Sequence, residues 1–131
     1  MLFRSLSSAL SWNSANTLTL SAYKDIYINA AITASTGKLG LKYGQGSSDG
    51  VISGVASDYY VNAPISLPAG LNFTTQLGSA GTTKNYTVFT ALGSANDNTS
   101  PSNTSAFTLQ ALNNTTSGYF ALGADIAGSA T

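Results

Sequence analysis

The sequence "DIYINAAITASTG" at residues 25–37 returns as "DYYVNAPISLPAG" at residues 58–70, identical at six of thirteen positions and displaced by 33 residues. The alternation of Ile26 and Ile28 with polar neighbours indicates a half-buried strand. A fixed period between about 20 and 50 residues is typical of stacked repeats, and strands without helical periodicity favour a β-solenoid. The repetition therefore bears mainly on the architecture of the chain.

Two further strands are indicated on either side of the first copy, in "TLTLSA" from Thr17 and "LGLKY" from Leu39. Stacking would place equivalent residues of successive turns about 4.8 Å apart in parallel strands. We predict that Gly37 and Gly70 occupy the corner of each turn, where a positive φ suits glycine. The predicted equivalences are Leu18 with Val51, Ile26 with Tyr59, Leu39 with Leu71, Asn29 with Asn62 and Ile32 with Ile65.

A third turn is predicted through "YTVFT" from Tyr86, "FTLQAL" from Phe107 and "GYFALGADI" from Gly118. The polar stretches at about 44–50 and 93–105 are too rich in Ser, Asn and Gly to form core, so we interpret them as inserted loops. Residues 13–131 then form one segment of about three turns with three strands per turn. In residues 1–12 the apolar spacing fits a short amphipathic helix that would cap the coil, the alternative being an ordinary first strand.

The composition favours an all-β domain. Of 131 residues only 8% are charged, about a third of the usual share, and Glu and His are absent. Helix-forming residues are scarce, whereas Thr, Tyr, Val and Ile are plentiful. Five basic residues balance five acidic ones, so the chain lacks the basic footprint expected for binding nucleic acid or an anionic membrane.

No catalytic residue, cofactor or metal ligand is predicted. Without Cys or His the chain lacks thiolate ligands and the Ser-His-Asp arrangement. Asp25 and Asp58 lie one period apart with Lys24 beside the first, but Asp is common at the start of a turn. No apolar run reaches the length of a membrane-spanning helix, and the first residues do not resemble an export signal. We therefore expect neither an enzyme nor membrane insertion.

Aromatic and amide side chains are the candidate ligand contacts. Flat aromatic rings with polar edges can stack against sugars. The competing interpretation, which we favour, is an aromatic ladder in which Tyr27 and Tyr60 stabilise the sheet. The candidate contact residues are Tyr27, Tyr59, Tyr60, Asn98 and Asn103.

The stretch "LSWNSANTLTLSAYKDIYINAAITA" at residues 10–34 resembles the passenger repeats of filamentous-haemagglutinin-like adhesins. "YTVFTALGS" at 86–94 and "FTLQALNNTTSGYFALGADI" at 107–126 resemble a second recurrent segment of these exoproteins, a Tyr-x-Leu-Gly-x-Asp-Ile string after a Leu-Gln string. Ala127 stands where relatives often have a further Asp, which speaks against an acidic or metal role for this turn. The Asn-Pro-Asn wording of the secretion domain is absent, so this stretch is not expected to direct its own export.

The resemblance implies a right-handed parallel β-helix, secreted by the two-partner or autotransporter route of a Gram-negative bacterium and acting at the cell surface. We expect a non-enzymatic segment that spaces and presents loops to a glycan or protein receptor, flanked by neighbouring coils of a longer parent. One alternative is a carbohydrate-binding or polysaccharide-processing β-helix. Another is a truncated fragment without separate function, whose open coil ends would promote self-association.

Overall fold

The computed structural model describes residues 3–94, 107–114 and 117–126. These residues form an all-β protein built from three main sheets and a hairpin. Sheet A contains β1 (Arg4–Leu6), β4 (Ile26–Ile28) and β9 (Tyr59–Val61), and sheet B contains β2 (Leu10–Trp12), β5 (Ile32–Ala34) and β10 (Ile65–Ser66). Sheet C contains β3 (Thr17–Ser21), β6 (Lys38–Tyr43), β11 (Gly70–Leu77), β12 (Lys84–Phe89) and β13 (Tyr119–Leu122). β7 (Val51–Ile52) and β8 (Val55–Ala56) form the hairpin.

Each of three successive chain segments contributes one parallel strand to each main sheet. We call these segments layer 1 (β1, β2, β3), layer 2 (β4, β5, β6) and layer 3 (β9, β10, β11). Within a layer the chain turns twice, from sheet A to sheet B and from sheet B to sheet C. Parallel pairing requires such connections, because a direct hairpin can join only antiparallel strands.

Layer 2 carries the core. Its inward side chains at Ile26, Ile28 and Ile32 have at most 1% of their surface exposed, because layers 1 and 3 cover them from both sides. The equivalent apolar residues of layer 1, such as Leu10 and Leu18, are only half-buried. The apolar positions of one layer are therefore enclosed by its neighbours.

The predicted pairings of Ile26 with Tyr59 and of Ile32 with Ile65 are confirmed, but two other equivalences are wrong. Leu18 pairs with Leu39, because the segment from Val51 is an inserted hairpin. Leu39 in turn pairs with Phe73 and not with Leu71. The sheet C register therefore departs from the sequence period.

Of the two interpretations of residues 1–12, the capping helix is wrong and the alternative of an ordinary first strand is confirmed. Arg4–Leu6 and Leu10–Trp12 are strands, in register with β4 and β5. The alternation of Leu6 and Leu10 with exposed serines provides a strand face in each short segment. These residues begin layer 1, whose third strand, β3, the sequence analysis had grouped in one turn with β4 and β6.

The strands predicted from Tyr86 and from Gly118 are confirmed, but the third turn that they were predicted to build is wrong. β12 pairs with β11 in the antiparallel direction, and β13 is parallel to β12. "FTLQAL" leads into a 3-10 helix over Leu109–Asn114 instead of a strand. Sheet C therefore holds five strands while sheets A and B hold three. The sequence after residue 77 resembles a further repeat. However, the chain turns at Gly78, and β12 therefore runs antiparallel to β11.

The inserted stretch from residue 44 to 57 is partly packed and partly projecting. The predicted loop at 44–50 is tied to the turn after β11, since Ser79 and Ala80 donate backbone hydrogen bonds to Ser47 and Ser48. The hairpin beyond it projects Val55, which is 55% exposed. Of the predicted loop at 93–105, residues 95–105 lie outside the described residues.

Candidate functional site

The outer face of sheet A carries a short column of aromatic rings. Tyr27 and Tyr60 are paired across β4 and β9, and their rings stack with centroids 4.8 Å apart and planes within 13°. Phe3 meets the Tyr27 ring edge-on, with centroids 5.6 Å apart. The Tyr27 ring lies between Phe3 and Tyr60. Tyr60 is the last ring of the column and is 43% exposed. No aromatic ring of the described residues stacks on the second face of Tyr60.

A column of polar side chains runs beside the rings. The Asn62 side-chain amide donates to the Asn29 side-chain oxygen over 2.7 Å, and the Asn29 amide donates to the Ser5 hydroxyl over 3.0 Å. The predicted stacking of the two asparagines is therefore confirmed. Because each amide donates toward layer 1, the Asn62 side-chain oxygen is directed to the open edge of layer 3 as an acceptor.

The carboxylates at the start of β4 and β9 bind backbone amides. Asp25 accepts the backbone N–H of Asp58 at 3.0 Å, so it links layers 2 and 3. The Asp58 carboxylate instead accepts the N–H of its own neighbour Tyr59 at 2.8 Å. Lys24 lies 3.9 Å from the Asp25 carboxylate. This arrangement accounts for both aspartates as strand-starting residues.

Tyr59 points to the opposite side of sheet A from Tyr60 and joins an inner row of rings. Its ring lies 5.2 Å from that of Tyr43 and 6.4 Å from that of Phe73, and the row continues through Tyr86. Burial, reinforced by the nearby Tyr86 hydroxyl, raises the pKa of Tyr59 to about 12. Burial also raises the pKa of Tyr43. The predicted contacts Tyr27 and Tyr60 thus share the outer face, while Tyr59 does not.

A largely apolar groove of about 400 Å³ opens beside the free edges of β9 and β10. Its floor is the inner side of layer 3 and one wall is the segment that follows β13. Asp125 provides the formal charge in this lining. Val61, at the rim, is 50% exposed. The principal lining residues are Tyr59, Val61, Ile65, Phe73, Leu122 and Asp125.

Sequence reasoning did not find this groove. Its walls come from layer 3 and from β13, whose relative position depends on the antiparallel return of β12. The sequence signal that could have indicated the groove is the apolar pair Val61 and Ile65. These residues are equivalent to the buried Ile28 and Ile32 of layer 2, but Val61 is exposed and Ile65 is only half-buried. The other two predicted contacts, Asn98 and Asn103, lie outside the described residues.

The acidic groups of the described residues do not assemble a metal site. Within residues 3–94, 107–114 and 117–126, no three acidic, His or Cys side chains come together. Asp49 lies in the turn before the hairpin, where the backbone N–H of Val51 and the Ser47 hydroxyl lower its pKa. In the same ranges, no helix has the length and apolarity needed to cross a membrane.

Comparison with protein-family models, with curated proteins and with solved structures gave no match for this chain.

Proposed function

We propose that the chain is a non-enzymatic segment of a secreted bacterial surface adhesin that spaces and presents binding elements. In this proposal layers 1 to 3 are about three turns of a right-handed β-helix with three strands per turn. The observation that carries it is the parallel register of three successive segments in each of three sheets. Tyr27 on Tyr60 and Asn29 on Asn62 supply the side-chain columns typical of stacked coils.

The adhesin assignment depends on the resemblance to filamentous-haemagglutinin-like passenger repeats. Layer 1, layer 2 and their connections include the residues 10–34 that carry the first likeness. Secretion by the two-partner or autotransporter route and a place on a Gram-negative cell surface belong to the same proposal. The handedness of the coil also comes from the resemblance.

The hairpin of β7 and β8 is the proposed presented element. It interrupts the connection between layers 2 and 3 without contributing to the main sheets. Val51 and Val55 are 40% and 55% exposed. Exposed apolar side chains on a small rigid projection can contact a protein receptor, where a few anchors provide most of the binding energy.

Neighbouring coils of a longer parent chain would stack on layer 1. β1, β2 and β3 all lie at the edge of their sheets. The half-buried Leu6, Leu18 and Leu20 pack against the core from one side. A further coil would cover their remaining surface. If no such coil exists, the same edges favour self-association, as expected of a fragment without separate function.

A second candidate function, carbohydrate binding, is favoured by the free ring face of Tyr60. The Asn62 side-chain oxygen and the Asp58 carboxylate lie on the same strand segment and could accept sugar hydroxyls. This version needs no deep pocket, since stacking on an aromatic ring with a few polar contacts suits an amphipathic sugar.

Adherence of beads coated with the purified chain to epithelial cells and to a glycan array would test both candidates. The adhesin proposal expects beads to adhere to cells and adherence to fall severalfold when Val51 and Val55 are both replaced by Ser. The carbohydrate proposal expects glycan binding that is lost in Tyr60→Ala. Thr33→Ala, exposed on the outer face of sheet B, is the matched control. Adherence that is absent, or equal in all variants, would reject presentation by the hairpin.

A further inference from the structure

Among the strands of the described residues, β9 has one neighbour, so its backbone has one paired edge and one unpaired edge. Ile26 donates to the Asp58 carbonyl, and Asn62 donates to the Ile28 carbonyl, so these groups of layer 3 face β4. Backbone groups alternate between the two edges of a strand. The N–H and C=O groups of Tyr59 and Val61 therefore face away from β4, toward the groove opening. An edge of this kind is a template for a further strand.

Asp25 and Asp58 make different hydrogen bonds, because Asp25 has a following layer beside it and Asp58 has none among the described residues. In layer 2 the Asp25 carboxylate binds the backbone N–H of Asp58 in the following layer. In layer 3 the equivalent carboxylate of Asp58 binds its own chain, at the N–H of Tyr59. A fourth strand would offer Asp58 the same kind of N–H that Asp58 itself offers Asp25. The carboxylate and the Tyr59 N–H would both then be released to bind the added strand.

The side chains along this edge specify what a fourth strand would carry. On the inner side, Tyr59 and Val61 border the apolar groove. On the outer side, Tyr60 offers a ring face and Asn62 an acceptor oxygen. An added strand in the same parallel register would match apolar residues to the inner positions, an aromatic ring to Tyr60 and an amide donor to Asn62. β4 carries this pattern on the opposite edge of β9.

The shape of the opening selects a single strand and excludes a whole second copy. β12 and β13 extend sheet C by two strands beyond β11, while sheets A and B stop at β9 and β10. A complete three-strand layer would need the position beside β11 that β12 already fills. A lone extended segment needs only the position beside β9, and neighbouring strands lie about 4.8 Å apart.

We propose that the free edge of β9 and its groove form a binding site for an extended segment of another polypeptide, added as a fourth parallel strand to sheet A. The segment has the pattern Asp, apolar, aromatic, apolar, Asn that β4 and β9 share. Main-chain hydrogen bonds to Tyr59 and Val61 provide affinity, and the alternating side chains provide specificity. This site differs from the proposed adhesin role of the hairpin and does not depend on it.

The test uses the full chain and a fluorescent peptide, Tyr-Lys-Asp-Ile-Tyr-Ile-Asn-Ala, which copies residues 23–30. Fluorescence anisotropy should show saturable binding to the chain. A peptide of the same length with Asp at both Ile positions should bind at least tenfold more weakly. Hydrogen exchange of the Tyr59 and Val61 amides should slow when the first peptide is bound. Absence of saturable binding, or equal binding of both peptides, would overturn the proposal.

Two variants at one position keep the result interpretable. Val61→Lys places a charge at the groove rim, and Val61→Pro removes an N–H that faces solvent while leaving the bonds to β4 in place. Either should weaken peptide binding at least tenfold. Val55→Lys, at a comparably exposed valine of the hairpin, is the matched control. Circular dichroism verifies that each variant is folded. Binding retained in both folded Val61 variants, or lost equally in Val55→Lys, would count against the β9 edge.

Discussion

The Asn62 side-chain amide donates a 2.7 Å hydrogen bond to the side-chain oxygen of Asn29, one layer below. The Asn29 side chain also donates to Ser5, so the Asn29 side chain takes part in two inter-layer bonds and the Asn62 side chain in one. Each is worth about 0.5–1.5 kcal/mol net, with exposed bonds at the lower end. Asn29→Ala should therefore lower the free energy of unfolding by about 1–2 kcal/mol, and Asn62→Ala by about half as much.

Urea unfolding followed by circular dichroism measures both changes. Asn13→Ala is the control, because Asn13 is exposed and accepts from Thr36 through its backbone carbonyl, which the substitution keeps. Equal losses in Asn29→Ala and Asn13→Ala would show that the polar column does not stabilise the layers.

Gly37 is needed for a close approach and not for its backbone conformation. A Cβ at this position would overlap the indole of Trp12, whose N–H donates to the Asn16 carbonyl over 3.2 Å. Gly37→Ala should displace the ring and cost about 1–3 kcal/mol. The fluorescence of the single tryptophan should shift to the red. In a Trp12→Ala background the same substitution should be nearly neutral, and a full effect there would contradict the overlap.

The hairpin turn holds Ser53 and Gly54 at φ values of 53° and 78°. Two consecutive positive φ values are typical of a type I′ turn, for which Asn-Gly is the preferred pair. Ser53→Asn should raise the free energy of unfolding by a few tenths of a kcal/mol, up to about 1. Thermal unfolding measures the gain. Ser48→Asn, exposed in the same insertion, should leave the midpoint unchanged, and a loss in Ser53→Asn would refute the turn type.

Alkaline pH should destabilise the fold through Tyr59. Its folded-state pKa of about 12 lies above the ordinary value of 10.0. Deprotonation is therefore easier in the unfolded chain, and the stability contributed by neutral Tyr59 is complete below pH 10 and lost as pH rises toward 12. Urea unfolding at pH 8 and pH 11 should show a smaller loss for Tyr59→Phe than for the wild type. The comparison at pH 8 separates out the effect of removing the neutral hydroxyl, and equal losses between pH 8 and pH 11 would place the alkaline sensitivity elsewhere.

The strand pairings between layers 2 and 3 in sheets A and B could be predicted, because they follow directly from the repeated sequence at 25–37 and 58–70. The pairing in sheet C could not be predicted, because the insertion before Asp58 changes the spacing between its strands. The sequence "VISGV" also has the composition of a strand, whether that strand joins a large sheet or forms a hairpin. The strand β12 was predicted from its sequence, but its antiparallel direction was not, for a different reason. Strand patterns do not encode direction, so "YTVFT" reads alike in parallel and antiparallel pairing.

The site was predictable to a similar extent. Tyr27 and Tyr60 were expected to stack because they occupy equivalent positions. The opposite orientation of Tyr59 follows from strand alternation, which separates neighbouring residues onto two faces. The repeat also led us to explain Gly37 and Gly70 alike, yet a positive φ of 109° occurs at Gly70 while Gly37 makes room for Trp12. That ring comes from another layer, which local sequence cannot reveal.

The pairing of each layer with the next has a consequence for the order in which the chain can fold. Ile26 pairs with Arg4 and Tyr59 with Ile26, so a strand finds its partner in the segment made just before it. The chain can therefore fold progressively from its N-terminus, because each folded layer provides the strands with which the next layer pairs. The hairpin delays only the third step, because its own strands pair locally. β13 can pair only after β12 is in place, so the end of sheet C forms last.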